Sequence, residues 1–337
     1  MSGFLYPFGK RAILHFEKSI SSSEGTRMSS WQARAFSRAI RAIVRRQSWG
    51  HEDALASRAR RVFGAPPAYG WLAAVGLTRR ACRSGSVRAE WLIPRRLRPG
   101  VVFYVHGGGF VSCSAATHRP IAAALARLTQ RRVFSVDYRL APEARLPAAH
   151  EDVAAAYGWV VSSGVHPSEI ALVGDSAGGN LVLRLAVQLR DQEAAAPACV
   201  AAFSPWTDLT GRSPSVRMNA ERCAMFHPEN MRDFAAAALG SGQPDTPIVS
   251  PVYADLHDLP PVLLHVGSTE LLLDDARRVH YRILHSNGES SLRVYDDVPH
   301  CWQMLFPFVP EAAASLRETA AFIDASLGSA RRVPRVA

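Results

Sequence analysis

A chain of 337 residues, 48% hydrophobic and 20% charged, can hold one large α/β domain or two small ones with ample core. The net charge of +10 is carried almost wholly by arginine, since Lys10 and Lys18 are the only lysines. The arginines are scattered rather than gathered into a stripe with aromatic platforms, so nucleic acid is not the expected partner. The five cysteines form no Cys-x-x-Cys pair, which argues against a disulfide framework and a zinc site and points to a reducing cytoplasm. No apolar run reaches spanning length, so no stable membrane insertion is expected.

Residues 1–27 read as a poorly ordered or mis-annotated extension, which makes Met28 a candidate start. A helical pattern follows, with Trp31, Ala35, Ala39, Ile40, Ile43 and Val44 on one face and Arg34, Arg38, Arg41, Arg45 and Arg46 mostly elsewhere. A helix covering a hydrophobic site is the preferred reading, ahead of one lying on a membrane. From Arg79 the period changes. Residues 88–94 read as a strand, and Val101–Val105 as a strand buried on both faces that ends in His106-Gly107-Gly108-Gly109-Phe110. Helix 117–129, strand 133–136, helix 148–163 and strand 170–173 come next, a rhythm that means a doubly wound, mostly parallel sheet. Strands at 199–203, 262–266 and 292–295, with helices at 274–287 and 311–327, continue it. Residues 211–248 interrupt the rhythm as an insertion, and the Arg-rich tail from Arg331 is expected to fray.

Strand 170–173 runs into Gly174-Asp175-Ser176-Ala177-Gly178-Gly179 and a Leu-rich helix. A serine on such a strained strand-to-helix turn leaves no room for side chains two residues to either side. A serine hydroxyl needs a base, and the base needs an orienting acid. In doubly wound hydrolases both follow the serine, each in a loop after a strand. His300, after the last strand, is the base. Glu270, nearest the end of strand 262–266, is the acid, with Asp274 as the alternative and Asp296 or Asp297 behind it. Asp274 and Asp275 are better explained as first-turn carboxylates of the next helix. Three consecutive glycines let backbone N–H groups turn toward the serine, so Gly107, Gly108 and Ala177 are the expected oxyanion donors.

His106-Gly107-Gly108-Gly109-Phe110, Asp137-Tyr138-Arg139-Leu140-Ala141-Pro142-Glu143 and the Ser176 turn together resemble the hormone-sensitive-lipase family of bacterial esterases over about residues 85–328. The resemblance implies an α/β-hydrolase fold and Glu270 as the acid, although many members carry Asp-Pro-Leu where this chain has Glu270-Leu271-Leu272. It also implies a helical cap built from residues 28–80 and the 211–248 insertion on a catalytic domain of residues 81–330. That cap would wall an acyl pocket with Trp31, Phe36, Trp49, Trp206, Met225 or Phe226. Arg139 and Glu143 read as a buried or half-buried network bracing the site. The expected activity is a serine carboxylesterase acting on small short- to medium-chain acyl esters, with no cofactor and no metal. An acetyl-hydrolase, amide hydrolase or lactone hydrolase would use the same residues, and a non-catalytic ligand-binding relative is the more distant alternative. The physiological ester and the oligomeric state, homodimer included, are not legible.

Overall fold

The computed structural model describes residues 29–50, 52–64 and 70–330. The expectations for residues 1–27, Met28 and the tail from Arg331 lie outside the described residues. Eight strands form one sheet in the order β1-β2-β4-β3-β5-β6-β7-β8. The six central and right-hand strands are β3 (Val101–Val105), β4 (Arg132–Asp137), β5 (Ile170–Asp175), β6 (Cys199–Phe203), β7 (Val262–Gly267) and β8 (Ser290–Tyr295), all parallel. Every residue of β3, β5, β6 and β7 is buried, which is why they read as unbroken apolar runs.

The left edge departs from a purely parallel sheet. β2 (Val87–Pro94) runs antiparallel to β4, and β1 (Leu77–Ser84) pairs antiparallel with β2 through the Gly85-Ser86 turn. β1 was invisible as a strand because its Arg79, Arg80 and Arg83 are exposed, so it carries no buried alternation.

Helices cover both faces. α4 (Arg119–Thr129) and α10 (Pro310–Ala330) pack on one side around Leu92, Tyr104 and Val173. α5 (Ala148–Ser162), α6 (Ala177–Asp191) and α9 (Leu273–His285) cover the other. The short α3 (Gly70–Ala73) packs beside α4, while above the carboxyl ends of the strands lie α1 (Trp31–Ile40), which continues as a wider π turn over Arg41–Arg45, and α2 (Glu52–Phe63). They meet α7 (Pro214–Met218) and α8 (Pro228–Leu239) of the insertion. Trp49 joins the two layers, stacking on Phe63 at 5.4 Å and meeting Phe234 edge-on at 5.5 Å. The buried Arg45 guanidinium caps the carbonyls of Ala220 and Cys223, so the N-terminal helix is bonded directly to the insertion.

α1 differs from its expected pattern. Ala33 and Val44 point inward and Ile40 is half-buried, but Trp31, Ala35, Ala39 and Ile43 are exposed. Trp31, Ala35 and Ala39 recur every four residues on the side away from Ala33 and Ile40, and the π turn adds Ile43 to that side.

Candidate active site

β5 delivers Ser176 at φ 52°, ψ −118°, the first residue beyond the strand and the cap of α6. That backbone is costly for a residue with a side chain, and the surroundings hold it there. The Ser176 N–H donates to Phe203 O at 2.8 Å, and its carbonyl accepts from the Trp206 N–H at 3.0 Å. A Cβ on Gly174 would lie 2.4 Å from Gly178 O, and one on Gly178 would lie 2.0 Å from Val105 O. Glycine two residues to either side of Ser176 is therefore a steric requirement.

Ser176 Oγ lies 3.0 Å from His300 Nε2, and His300 Nδ1 lies 2.5 Å from Glu270 Oε2. All three side chains are buried. The second oxygen of Glu270 accepts from the Gly267 N–H at 2.6 Å and the Ser204 hydroxyl at 2.7 Å. With Oε1 saturated, Oε2 is left for the imidazole, which fixes the tautomer whose Nε2 faces the serine. Asp274 is elsewhere, accepting from the Ser215 N–H at 2.8 Å. Asp296 accepts from the Ser268 hydroxyl, and the Asp297 N–H donates to Ser268 Oγ.

Asp275 is more than a first-turn carboxylate. It is fully buried and accepts from the N–H groups of Thr207 and Asp208, each at 2.8 Å, and from the Ser213 hydroxyl at 2.6 Å. Burial, with the nearby Asp208 charge, pushes its carboxyl up to about 7 against those hydrogen bonds.

The glycine loop corrects one expected donor. The Gly107 N–H donates to Asp175 Oδ1 at 3.1 Å, so it is committed to a carboxylate rather than to an incoming oxyanion. Gly108 and Gly109 line the cavity beside Ser176, both at positive φ. Ala177 opens α6, where first-turn N–H groups lack intrahelical acceptors.

Asp175 is the residue that sequence reasoning passed over. It is fully buried and gathers the Tyr104 hydroxyl at 2.5 Å, the Gly107 N–H, His118 Nε2 at 3.1 Å and the Cys301 thiol at 3.6 Å. Burial alone would raise its carboxyl, but the His118 charge and the hydrogen bonds win and hold it below the usual range. The signal was available: a carboxylate ending a fully apolar strand must find partners. Ser204 was missed too, because a serine after a strand carries no such mark.

Arg139 and Glu143 do not form one network. Arg139 pairs with Asp152 at 2.9 Å, whereas Glu143 takes a bidentate grip from Arg60 of α2, both contacts at 2.6 Å. Glu143 is largely exposed, and the Arg60 hydrogen bonds hold its carboxyl down to about 2. The pair clasps α2 to the catalytic body, since Arg60 also donates to Val111 O and Ala141 O.

A cavity of about 410 Å³ opens over Ser176 and His300. Trp206, Met225 and Phe226 line it as expected, joined by Phe63, Met231 and Phe234. Trp31 is exposed, Phe36 packs beneath α1 against Trp302 and Val309, and Trp49 is buried behind Phe63. Those three aromatics serve the helices and do not line the cavity. Phe226 meets the His300 ring edge-on at 5.7 Å.

Comparison with known proteins agrees with this fold. Residues 102–304 match the family described as the alpha/beta hydrolase fold. The chain is 33% identical over 244 residues to an acetyl-hydrolase of Streptomyces hygroscopicus, covering 72% of this chain and 82% of that protein. It is 35% identical over 244 residues to an esterase of Acinetobacter venetianus, covering 72% and 80%. The crystal structure of an esterase from the bacterial hormone-sensitive lipase family superposes with a TM-score of 0.81 at 36% identity, covering 89% of this chain and all of that one.

Proposed function

The chain belongs to the alpha/beta hydrolase fold family, in its bacterial hormone-sensitive-lipase branch of carboxylic ester hydrolases, and from that premise we propose that it is a serine carboxylesterase for short- to medium-chain acyl esters. The observation that carries the mechanism is the unbroken relay Ser176–His300–Glu270 at the floor of an apolar cavity. His300 Nε2 takes the Ser176 proton as Oγ attacks the ester carbonyl. Charge developing on the carbonyl oxygen meets the N–H groups of Gly108, Gly109 and Ala177. His300 then protonates the departing alcohol, leaving an acyl group on Ser176. A water, deprotonated by the same imidazole, attacks that ester and releases the acid.

The same cavity supports the cap reading. Ile40, Val44, Val62 and Phe63 from the N-terminal helices and Met225, Phe226, Met231 and Phe234 from the insertion supply its apolar walls, which suits an acyl chain. Among the described residues no helix is long and apolar enough to cross a membrane. The five free cysteines fit a reducing cytoplasm as the place of action.

The test is a panel of p-nitrophenyl esters of increasing acyl length, run with the wild type and Ser176→Ala. Hydrolysis that peaks at short or medium chains and disappears in the variant is expected; retained hydrolysis in Ser176→Ala contradicts the reading.

A further inference from the structure

The exposed face of α1 is unusual for a helix whose other side already lines a cavity. Ile40 and Val44 look into the cavity, yet Trp31 is 70% exposed and Ile43 63% exposed, with Ala35, Ala39 and Ala42 between them on the solvent side. A surface helix needs one apolar stripe for its own core. Among the described residues nothing covers the second stripe.

Neighbouring segments extend the patch. The Ser30 N–H and hydroxyl bond the Glu311 carboxylate at the start of α10, three residues after the half-exposed Phe308. At the other end, Arg41 donates to the carbonyls of Glu221 and Arg222, which brings α7 alongside, and Met218 there is 71% exposed. Charge follows the same surface. Residues 29–50 contain five arginines and no Asp or Glu. Arg41 and Arg45 are turned onto the insertion, but Arg38 and Arg46 are exposed beside Ile43, as are Arg217 and Arg222 near Met218. Glu221 is exposed in this neighbourhood and pairs with Arg45 at 3.5 Å, and Glu229, also exposed, pairs with Arg232 at 3.6 Å.

We propose that this face docks the protein onto an anionic lipid surface, with Trp31, Ile43 and Met218 entering the headgroup boundary and Arg38, Arg46, Arg217 and Arg222 meeting phosphate. Apolar anchors interleaved with guanidinium groups are the composition that lies in an interface plane, and cations near such a surface add to the attraction roughly one by one. The same helix presents Ile40 and Val44 to the cavity, so docking sets the mouth of the site against the phase where apolar esters dissolve. That last link rests on the esterase reading; the docking itself does not.

Co-sedimentation of the full chain with phosphatidylcholine vesicles, with and without phosphatidylglycerol, tests it. The wild type and Ser176→Ala are expected to sediment with the phosphatidylglycerol vesicles, and to be released as salt rises. Arg38→Glu with Arg46→Glu, and separately Trp31→Ser with Ile43→Ser, are expected to lower the binding constant by at least about tenfold. Both pairs are expected to keep wild-type turnover of a water-soluble short ester, which also reports the fold. Absence of sedimentation, equal binding to neutral vesicles, or unchanged binding by both pairs overturns the proposal. So does a wild-type dimer, seen by sedimentation velocity, that Trp31→Ser with Ile43→Ser turns into a monomer, since the occupant of the face would then be a second copy. Because Ser176→Ala is inactive by the catalytic reading yet expected to bind, failure of either claim is visible without the other.

Discussion

Glu270 meets His300 with one oxygen only: Oε2 lies 2.5 Å from Nδ1, while Oε1 is held by the Gly267 N–H and the Ser204 hydroxyl. The carboxylate is thereby anchored to β7 and to the residue after β6 before it touches the imidazole. Three donors around a buried carboxylate fix it in direction.

Glu270→Gln replaces one of these oxygens with an amide nitrogen that cannot accept from the Nδ1–H. The account expects kcat to fall by about 10⁴, the scale of a mis-set tautomer in such relays. Asp274→Asn is expected to stay near wild type, because Asp274 holds Ser215 and Arg277 rather than the imidazole. Steady-state kinetics on a p-nitrophenyl ester separate the two; a damaging Asp274→Asn with an active Glu270→Gln would reverse the assignment.

Asp175 ties the Gly107 amide, Tyr104 and His118 together one residue from Ser176. Asp175→Asn removes the charge that balances His118 and loosens the loop that carries Gly108 and Gly109. The expected result is a loss of kcat of about 10², as for a small misplacement of catalytic groups, with KM little changed. A rise in KM alone would mean that Asp175 shapes the cavity and not the donors.

Phe226 stands between the cavity and His300, and meets Phe63 and Phe234 edge-on at 6.5 and 6.0 Å. Phe226→Ala lengthens the space above the serine. The ratio of kcat/KM for long over short acyl esters is expected to rise by about tenfold, within the range that methylene-sized pocket changes produce. An unchanged chain-length profile would place the acyl chain elsewhere.

Asp275 makes stability depend on pH. Its folded carboxyl, raised by burial to about 7, lies above the ordinary value of 3.8, so the folded state binds the proton more tightly than the unfolded chain. Its contribution is full below pH 3.8 and is lost as pH rises toward 7, at about 1.4 kcal/mol per unit. Urea unfolding of wild type and Asp275→Asn at pH 5 and 7 checks the sign. The amide mimics the protonated acid, so the variant is expected to gain on the wild type as pH rises; a gap that narrows contradicts the assignment.

What the sequence made legible was whatever sat in one short segment. Ser176 and its flanking glycines, His300 after the last strand and Glu270 after β7 all follow from chain order, because a parallel sheet puts the loops after its strands at one end. Relationships across distant segments were less legible. Gly107 looked like a donor until the Asp175 carboxylate, 68 residues on, was seen to occupy its N–H. Glu143 looked internal to its own loop, but its partner is Arg60 on a helix far upstream. Trp49 offered itself as a pocket wall and proved to be the wedge between two helical layers. β1 hid because an exposed Arg-rich edge strand has no apolar period.

The relay requires that Ser176 carry the acyl group in a covalent intermediate. Rapid mixing with a p-nitrophenyl ester, quenching in acid and mass mapping of the peptides tests it most directly. The account predicts a mass gain of one acyl group on the peptide containing Ser176, absent in Ser176→Ala. An acyl group on another residue, with Ser176→Ala still turning over, would contradict it.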